Sequence, residues 1–363
     1  MESISVDLLF TLVDRESYWL RQKVILFNKK KIVIFPAGPT AQAFYHTLLN
    51  DYGIEAEFFI DNNPDIEGKS VCGKPIKLRP WEQDATFKDR YAVLIPTVFD
   101  NYYFQIVEQL EKAGNMTHMH AFSYCACQLW DKYQKVLSLL CDNQSKLSYL
   151  GAIYSLLTFD NTFIRYETDG YFALKPFTYN GYETVVDAGA YTGDTVEKYV
   201  IHGSDSIKIY AFEPYDKARE KLEARVKRLK NEWILDDDDI VVVNAGVGDE
   251  TKMLSFSSAK PTMLKPDEYG DTHIKVYSLD DYFRDKKPFT VLKADIEGGE
   301  LDMLRGASTM IQKYKPKLAI CIYHSPKDFV QIAEYIYEIV PEYNMAVRSH
   351  FYDYRETVLY CWL

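Results

Sequence analysis

Hydrophobic residues first recur at close to helical spacing: Val6, Leu9, Phe10, Val13, Trp19, Leu20, Val24 and Phe27 mark a stripe over residues 5–28, and Lys29 to Lys31 end it. The spacing predicts a leading helix. From Lys31 the pattern changes to KIVIF, a continuous β-branched run, and then to PAGPTAQAFYHTLL, a tight turn with a helix opening near Thr40. Two more apolar stretches follow, AEFFI ending at Asp61-Asn62-Asn63-Pro64 and YAVLIP leading into an amphipathic segment from Tyr102 to Lys112. This part is βαβ-like. Residues 128–158 return to helical periodicity, with Leu129, Tyr133, Val136, Leu137, Leu140, Leu147, Leu150, Ile153 and Leu156, and carry no strand signal.

Strand and helix then alternate again. ETVVDAGAYTGD, IKIYAFEP, DIVVVNAGVGD, TVLKADIEGGE with a helix through Ile311, KLAICIYH with a helix around Asp328 to Val340, YNMAVRSH and ETVLYCWL supply the strands of a second doubly wound sheet. Only a few residues separate the last two strands, so they are expected to pair antiparallel. The predicted fold class is α/β, with two Rossmann-like doubly wound domains over residues 1–127 and 160–363 joined by a helical bridge over residues 128–159.

Composition narrows the partners. The chain has 363 residues, 42 Lys+Arg against 53 Asp+Glu, and a net charge of −11, with no basic stripe, which argues against nucleic acid or an anionic membrane and favours a small-molecule substrate. Six cysteines without framework spacing suit a reducing compartment, and neither a membrane-length apolar run nor a basic leader is present, so a soluble cytoplasmic protein is expected.

The chemistry centres on VVDAGAYTGDT. Asp187 closes a buried strand, Gly189 and Gly193 permit a sharp turn with close backbone approach to a ligand, and Asp194-Thr195 open the next helix. The turn lacks the third glycine of a dinucleotide fingerprint and has an acid before it. That disfavours a pyrophosphate and suits a nucleoside whose other end is a cationic amino acid, with Asp187 or Asp194 against the ammonium. Glu213, 24 residues after Gly189 at the end of the second strand, suits two ribose hydroxyls.

Taken in order, VVDAGAYTGDT, YAFEP, NAGVGD, LKADIEGGE, LRGA and CIYH resemble the FkbM family of S-adenosylmethionine-dependent methyltransferases over residues 160–363. The resemblance implies a seven-stranded class I methyltransferase sheet and, as a rule, O-methylation of a hydroxyl on a sugar or glycoconjugate. It implies S-adenosyl-L-methionine as cofactor, with Asp187, Gly189, Ala190, Tyr191, Gly193, Asp194 and Thr195 around its methionine end. Glu213, with Pro214 beside it, would hold the ribose, and Ala245 and Gly246 would border the adenine.

Transfer to an alcohol needs the nucleophile held in line and its proton removed. If the strand continues through LKADIE, alternation puts Lys293, Asp295 and Glu297 on one face looking into the cleft. His324, after the strand LAICIY, is the leading base by position and ordinary pKa, and Asp295 the second. The run SFSSAKPTMLKPDEYGDT between Leu254 and His273, which includes Lys260 and Tyr269, reads as a lid over the acceptor pocket.

No metal site is expected. His118, His120, Cys125 and Cys127 do not match the usual zinc spacings, and the simpler reading is a strand carrying AFSYC with buried thiols; Asp236 to Asp239 read as a solvated turn. KIVIFPAGPTAQAF, FFIDNNPDIEG and VCGKPI resemble a sugar-nucleotide or cofactor-binding Rossmann-like module. Gly38 alone in the turn and Pro36 at a fingerprint position argue against tight pyrophosphate contact and so against an NAD oxidoreductase, while Asp61 suits a ribose. N- or carboxyl-methylation, or binding of S-adenosylmethionine and a nucleotide sugar without chemistry, are the alternatives to O-methylation.

Overall fold

In the computed structural model, which describes residues 4–97, 100–178, 182–203, 207–256 and 272–363, Ser5 Oγ accepts the Leu8 N–H at 3.2 Å and starts helix α1 (Val6–Phe27). Leu9, Val13, Ser17, Val24 and Phe27 are its buried positions. Strand β1 (Lys31–Ile34) and helix α2 (Pro39–Tyr52) follow, the helix opening on Pro39 and closing on Gly53 at φ 64°. Strands β2 (Phe59–Asp61), β3 (Ser70–Val71) and β4 (Lys74–Leu78), helix α3 (Phe87–Arg90), strand β5 (Tyr91–Ile95), helix α4 (Asp100–Lys112) and strand β6 (His118–His120) complete a six-stranded sheet of order β3-β4-β2-β1-β5-β6. All its pairings are parallel except β3 with β4. Val33, Phe35, Phe58, Ile60, Val93 and Ile95 anchor its core.

AFSYC does not form a strand. It is helix α5 (Ala121–Ala126), because His120 Nδ1 accepts the Phe122 N–H at 3.0 Å and caps a helical turn directly after β6. The thiols of Cys125 and Cys127 are buried, and all six cysteines are free. Helices α6 (Trp130–Leu139) and α7 (Asn143–Thr158) occupy the helical stretch. Contacts divide the chain into two compact units, residues 1–131 with 153–160 and residues 132–152 with 161–363.

The second unit begins its sheet with β7 (Glu183–Ala188), α8 (Asp194–His202), β8 (Ile207–Phe212), α9 (Asp216–Trp233) and β9 (Ile240–Val243). Helix α9 is charged outside and buries Ala218, Leu222, Val226 and Leu229, one stripe at helical spacing. Strands β10 (Gly246–Val247), β11 (Lys252–Phe256) and β12 (Thr272–Tyr277) form a separate three-stranded sheet. Most of the expected lid, including Lys260 and Tyr269, lies outside the described residues. After helix α10 (Leu279–Tyr282) come β13 (Val291–Ala294), α11 (Glu300–Arg305), α12 (Ser308–Tyr314), β14 (Lys317–Cys321), α13 (Asp328–Ile339), β15 (Asn344–Ser349) and β16 (Thr357–Trp362).

The single helix expected after β13 is two. The chain breaks at Gly306, where a Cβ would stand 2.0 Å from the Gly248 carbonyl oxygen, and Ser308 then opens the second helix. Seven strands run in the order β15-β16-β14-β13-β7-β8-β9, the number the FkbM resemblance implies. β9, β8, β7, β13 and β14 are parallel, while β16 pairs antiparallel with both β14 and β15, as the short connection between the last two strands requires. No described helix is long and apolar enough to cross a membrane.

Candidate active site

Parallel strands end together, so the turns after β7, β8, β13 and β14 meet at one edge of the seven-stranded sheet. After β7 the backbone N–H groups of Gly189 and Ala190 both donate to the Phe212 carbonyl, at 3.1 and 3.0 Å. Gly189 has φ 76°, and a Cβ there would fall 1.9 Å from the Asp295 carbonyl oxygen, so only glycine lets the ends of β7 and β13 approach. Tyr191 sits at φ 46° and is 57% exposed, and Gly193 at φ 82° hands the chain to α8. Asp194 is exposed in the first turn of that helix, while Ala190 and Thr195 are buried.

Glu213 is buried at the end of β8 and stitches two turns together. Its Oε2 accepts the Tyr191 N–H at 2.9 Å and its Oε1 the Tyr215 N–H at 2.7 Å. Burial raises its pKa, and the two backbone donors work against that rise. Each carboxylate oxygen keeps a second lone-pair direction for a ligand hydroxyl. Pro214 is partly buried beside it; Ala245 is buried and Gly246 begins β10.

Asp187 and Lys293 do not open into the cleft. Both are buried, facing one another across the parallel pair β7–β13, with Lys293 Nζ 2.9 Å from Asp187 Oδ1 and 2.9 Å from the Gly189 carbonyl oxygen. Burial works against the lysine charge, but Asp187 and Asp295 outweigh it and hold the pKa above its ordinary value. The pair is the internal support of the glycine turn, and Asp194 is the exposed acid beside it.

The expected alternation through Glu297 also fails, because β13 stops at Ala294 and Glu297 turns into the left-handed region at φ 58°. The turn nevertheless brings Asp295 and Glu297 to His324. His324 Nε2 lies 3.4 Å from Asp295 Oδ1 and 3.7 Å from Glu297 Oε2, and Nδ1 lies 3.4 Å from Glu300 Oε1. The His324 side chain is only 9% exposed, and burial lowers its pKa against the opposing pull of Asp295, so the ring is neutral at pH 7. Glu297 is the open member, with its side chain 59% exposed, while its Oε2 end lies 3.7 Å from His324; partial desolvation of that end, then Asp295 and Glu356, raise its pKa to about 7.

Three residues of this cluster, Glu300 at the end of LKADIEGGE, Tyr323 in CIYH and Glu356 at the head of ETVLYCWL, carry no role expected from the sequence. Glu300, the first residue of α11, is wholly buried, and its Oε1 accepts the Ile296 N–H at 2.8 Å. Tyr323 stacks on His324 with ring centroids 4.2 Å apart, and its hydroxyl lies 3.0 Å from Asp295 Oδ1 and 3.2 Å from Glu356 Oε1. Burial, then Cys321 and Asp295, push that phenol far up, so it acts as a donor. The signal for Glu356 is topological: β16 runs antiparallel to β14, so the residue just before β16 arrives at the edge where β14 ends.

In the first unit, Asp61 Oδ2 accepts the Ala37 N–H at 3.0 Å and Oδ1 the Asn63 N–H at 2.9 Å. A cleft of about 450 Å³ lies in the same unit, lined by Arg79, Trp81, Glu82, Gln105, Gln109 and Lys112 among others. His118, His120, Cys125 and Cys127 do not converge as open donors. His120 uses Nε2 on the Thr97 carbonyl at 2.8 Å and Nδ1 on the Phe122 N–H, and burial pushes the Cys127 thiol up to about 12.

Residues 187–356 match the family described as Methyltransferase FkbM domain. A comparison with curated proteins gives no match. Among solved structures, the methyltransferase FkbM from Methylobacillus flagellatus is similar over 92% of this chain and 90% of its own, with 22% identity and a TM-score of 0.57, a likeness of fold. Fibrillarin from Aeropyrum pernix, solved with natively bound S-adenosyl-L-methionine, covers 49% of this chain and 66% of its own at 9% identity and a TM-score of 0.31. The fibrillarin pre-rRNA processing protein of Methanococcus jannaschii covers 54% and 74%, at 10% identity and a TM-score of 0.34.

Proposed function

From the match of residues 187–356 to the FkbM methyltransferase domain we propose that the protein transfers a methyl group from S-adenosylmethionine to a hydroxyl of a saccharide or sugar-derived acceptor. The observation that carries the reading is that the glycine turn with its glutamate and a cluster of proton-accepting side chains stand at the ends of adjacent parallel strands, β7–β8 and β13–β14. Cofactor and acceptor groups thereby share one edge.

The residues suit the cofactor. Gly189, Tyr191 and Gly193 all take positive φ and curl the backbone around the end of β7, and Glu213 is fixed by that curl with lone pairs left for two ribose hydroxyls. Asp194, exposed at the start of α8, faces the ammonium end in this reading. When bound, S-adenosylmethionine supplies the activated methyl group. The chain's part is to hold the acceptor oxygen in line and to receive its proton.

Glu297 takes that proton. It is the exposed carboxylate of the cluster, and a glutamate held at positive φ beside a reaction edge is the kind of local strain that persists where it aims a side chain. His324, the leading candidate from sequence, is too enclosed for that task and backs the turn that carries Glu297 and Asp295. The saccharide class rests on the resemblance of the ordered motifs. Incubation with labelled S-adenosylmethionine and a panel of nucleotide sugars and oligosaccharides, read by mass spectrometry, tests the proposal. Label in a hydroxyl ether supports it, while label only in amines or carboxylates would move the reaction to the alternative acceptor classes.

A further inference from the structure

Two side chains at the base of the cluster have an unmet need, and Asp295 stands beside them. Among the described residues neither ring nitrogen of His324 has a hydrogen-bond partner, although the side chain is about nine-tenths buried, and Glu300 Oε2 is buried without one. Asp295, Glu300 and His324 each offer one donor atom, and those atoms lie within 4.8 Å of one another. They come from the turn after β13, the first position of α11 and the third residue after β14, so no local sequence spacing marks all three as a set.

We propose that Asp295, Glu300 and His324 bind one divalent transition-metal ion, of the Mn²⁺ or Zn²⁺ class.

Geometry, charge and donor chemistry agree. Ligands bound at about 2.0–2.2 Å to one ion stand roughly 3 to 4.4 Å apart, close to the present spacing, so small side-chain rotations suffice. Two carboxylates and one imidazole match a dication in charge, and the lysine nearest by sequence, Lys293, is already engaged with Asp187. The backbone is braced for the load: the Asp295 N–H donates to the Ala188 carbonyl at 3.1 Å, and the Ile296 N–H holds Glu300 Oε1. Mixed nitrogen and oxygen donors favour Mn²⁺ or Zn²⁺ over Mg²⁺ or Ca²⁺, which prefer all-oxygen shells, and over ions that select thiolates. Three protein donors leave positions open for water or an acceptor oxygen, as in metal sites that act on substrate. An ion here would polarise an acceptor hydroxyl beside Glu297, and the site itself stands independently of the methyl-transfer reading.

The test is calorimetric titration of chelator-stripped full-length protein with Mn²⁺ and with Zn²⁺, without S-adenosylmethionine or acceptor, and electron paramagnetic resonance of the Mn²⁺ samples. One ion per chain is expected, with affinity at least about tenfold weaker in Asp295→Asn, Glu300→Gln and His324→Gln, and unchanged in the surface variant Glu250→Gln. Anomalous scattering from wild-type crystals soaked in Zn²⁺ locates the ion even where a variant fails to fold. Absence of saturable binding, undiminished binding in all three variants, or an anomalous peak elsewhere would overturn the proposal. S-adenosylmethionine titrated into the same samples separates the two readings: cofactor binding without ion binding sinks only the metal site, and the reverse sinks only the methyl-transfer reading.

Discussion

Lys293 Nζ stands 2.9 Å from Asp187 Oδ1, and both side chains are buried. Removing one partner of such a pair strands a charge in the core. Lys293→Met is expected to cost about 3–5 kcal/mol of stability, and the double variant Asp187→Leu/Lys293→Met to recover much of it. Urea unfolding of the three proteins checks this, and a single variant as stable as wild type would show that the pair is not the support described.

Gly189 carries the tightest constraint in the turn. With φ 76° and the Asp295 carbonyl 1.9 Å from where a Cβ would sit, Gly189→Ala must push β13 away from β7. A loss of at least about 2 kcal/mol is expected, together with loss of cofactor affinity. Thermal unfolding and calorimetry of the variant would show both; an unperturbed protein would contradict the packing of these two strand ends.

Glu297→Gln keeps the size of the side chain and removes its capacity to take a proton. Turnover is expected to fall roughly 10²- to 10⁴-fold while S-adenosylmethionine affinity is unchanged. Single-turnover kinetics beside equilibrium binding separate the two effects. Undiminished turnover would remove Glu297 as the proton acceptor.

His120 makes the first unit sensitive to acid. Burial lowers its pKa to about 4, against roughly 6.5 unfolded, so between those values the unfolded chain binds the extra proton and the folded one does not. Stability is therefore full above about pH 6.5 and declines as the pH falls toward 4, by up to about 3 kcal/mol. His120→Gln should flatten that part of the profile in urea unfolding between pH 4 and 7; an unchanged profile would assign the loss to other groups.

Much of this was legible in the chain. β-Branched runs such as KIVIF and ETVVDA become buried parallel strands because both faces are covered, and the short link before ETVLYCWL forces the antiparallel pair. The glycine turn and Glu213 were readable as one unit, since turn and acid lie at the ends of neighbouring strands. Other features needed coordinates. AFSYC is too short for periodicity to tell strand from helix, and the cap from His120 decides it. The pairing of Asp187 with Lys293 was latent in VVDA and VLKA, which align residue for residue in the sheet, yet register across a long crossover is not visible in one sequence. Glu300 resembles an ordinary acid in a first helical turn until its burial against His324 is seen.

The cofactor reading meets its most direct test in calorimetric titration of the full chain with S-adenosylmethionine and S-adenosylhomocysteine, wild type against Glu213→Ala. One site per chain is predicted in the wild type, with affinity roughly 10- to 100-fold weaker in the variant, the loss expected for hydrogen bonds to a buried carboxylate. Silence from both compounds with the wild-type protein, or equal affinity in the variant, would contradict it.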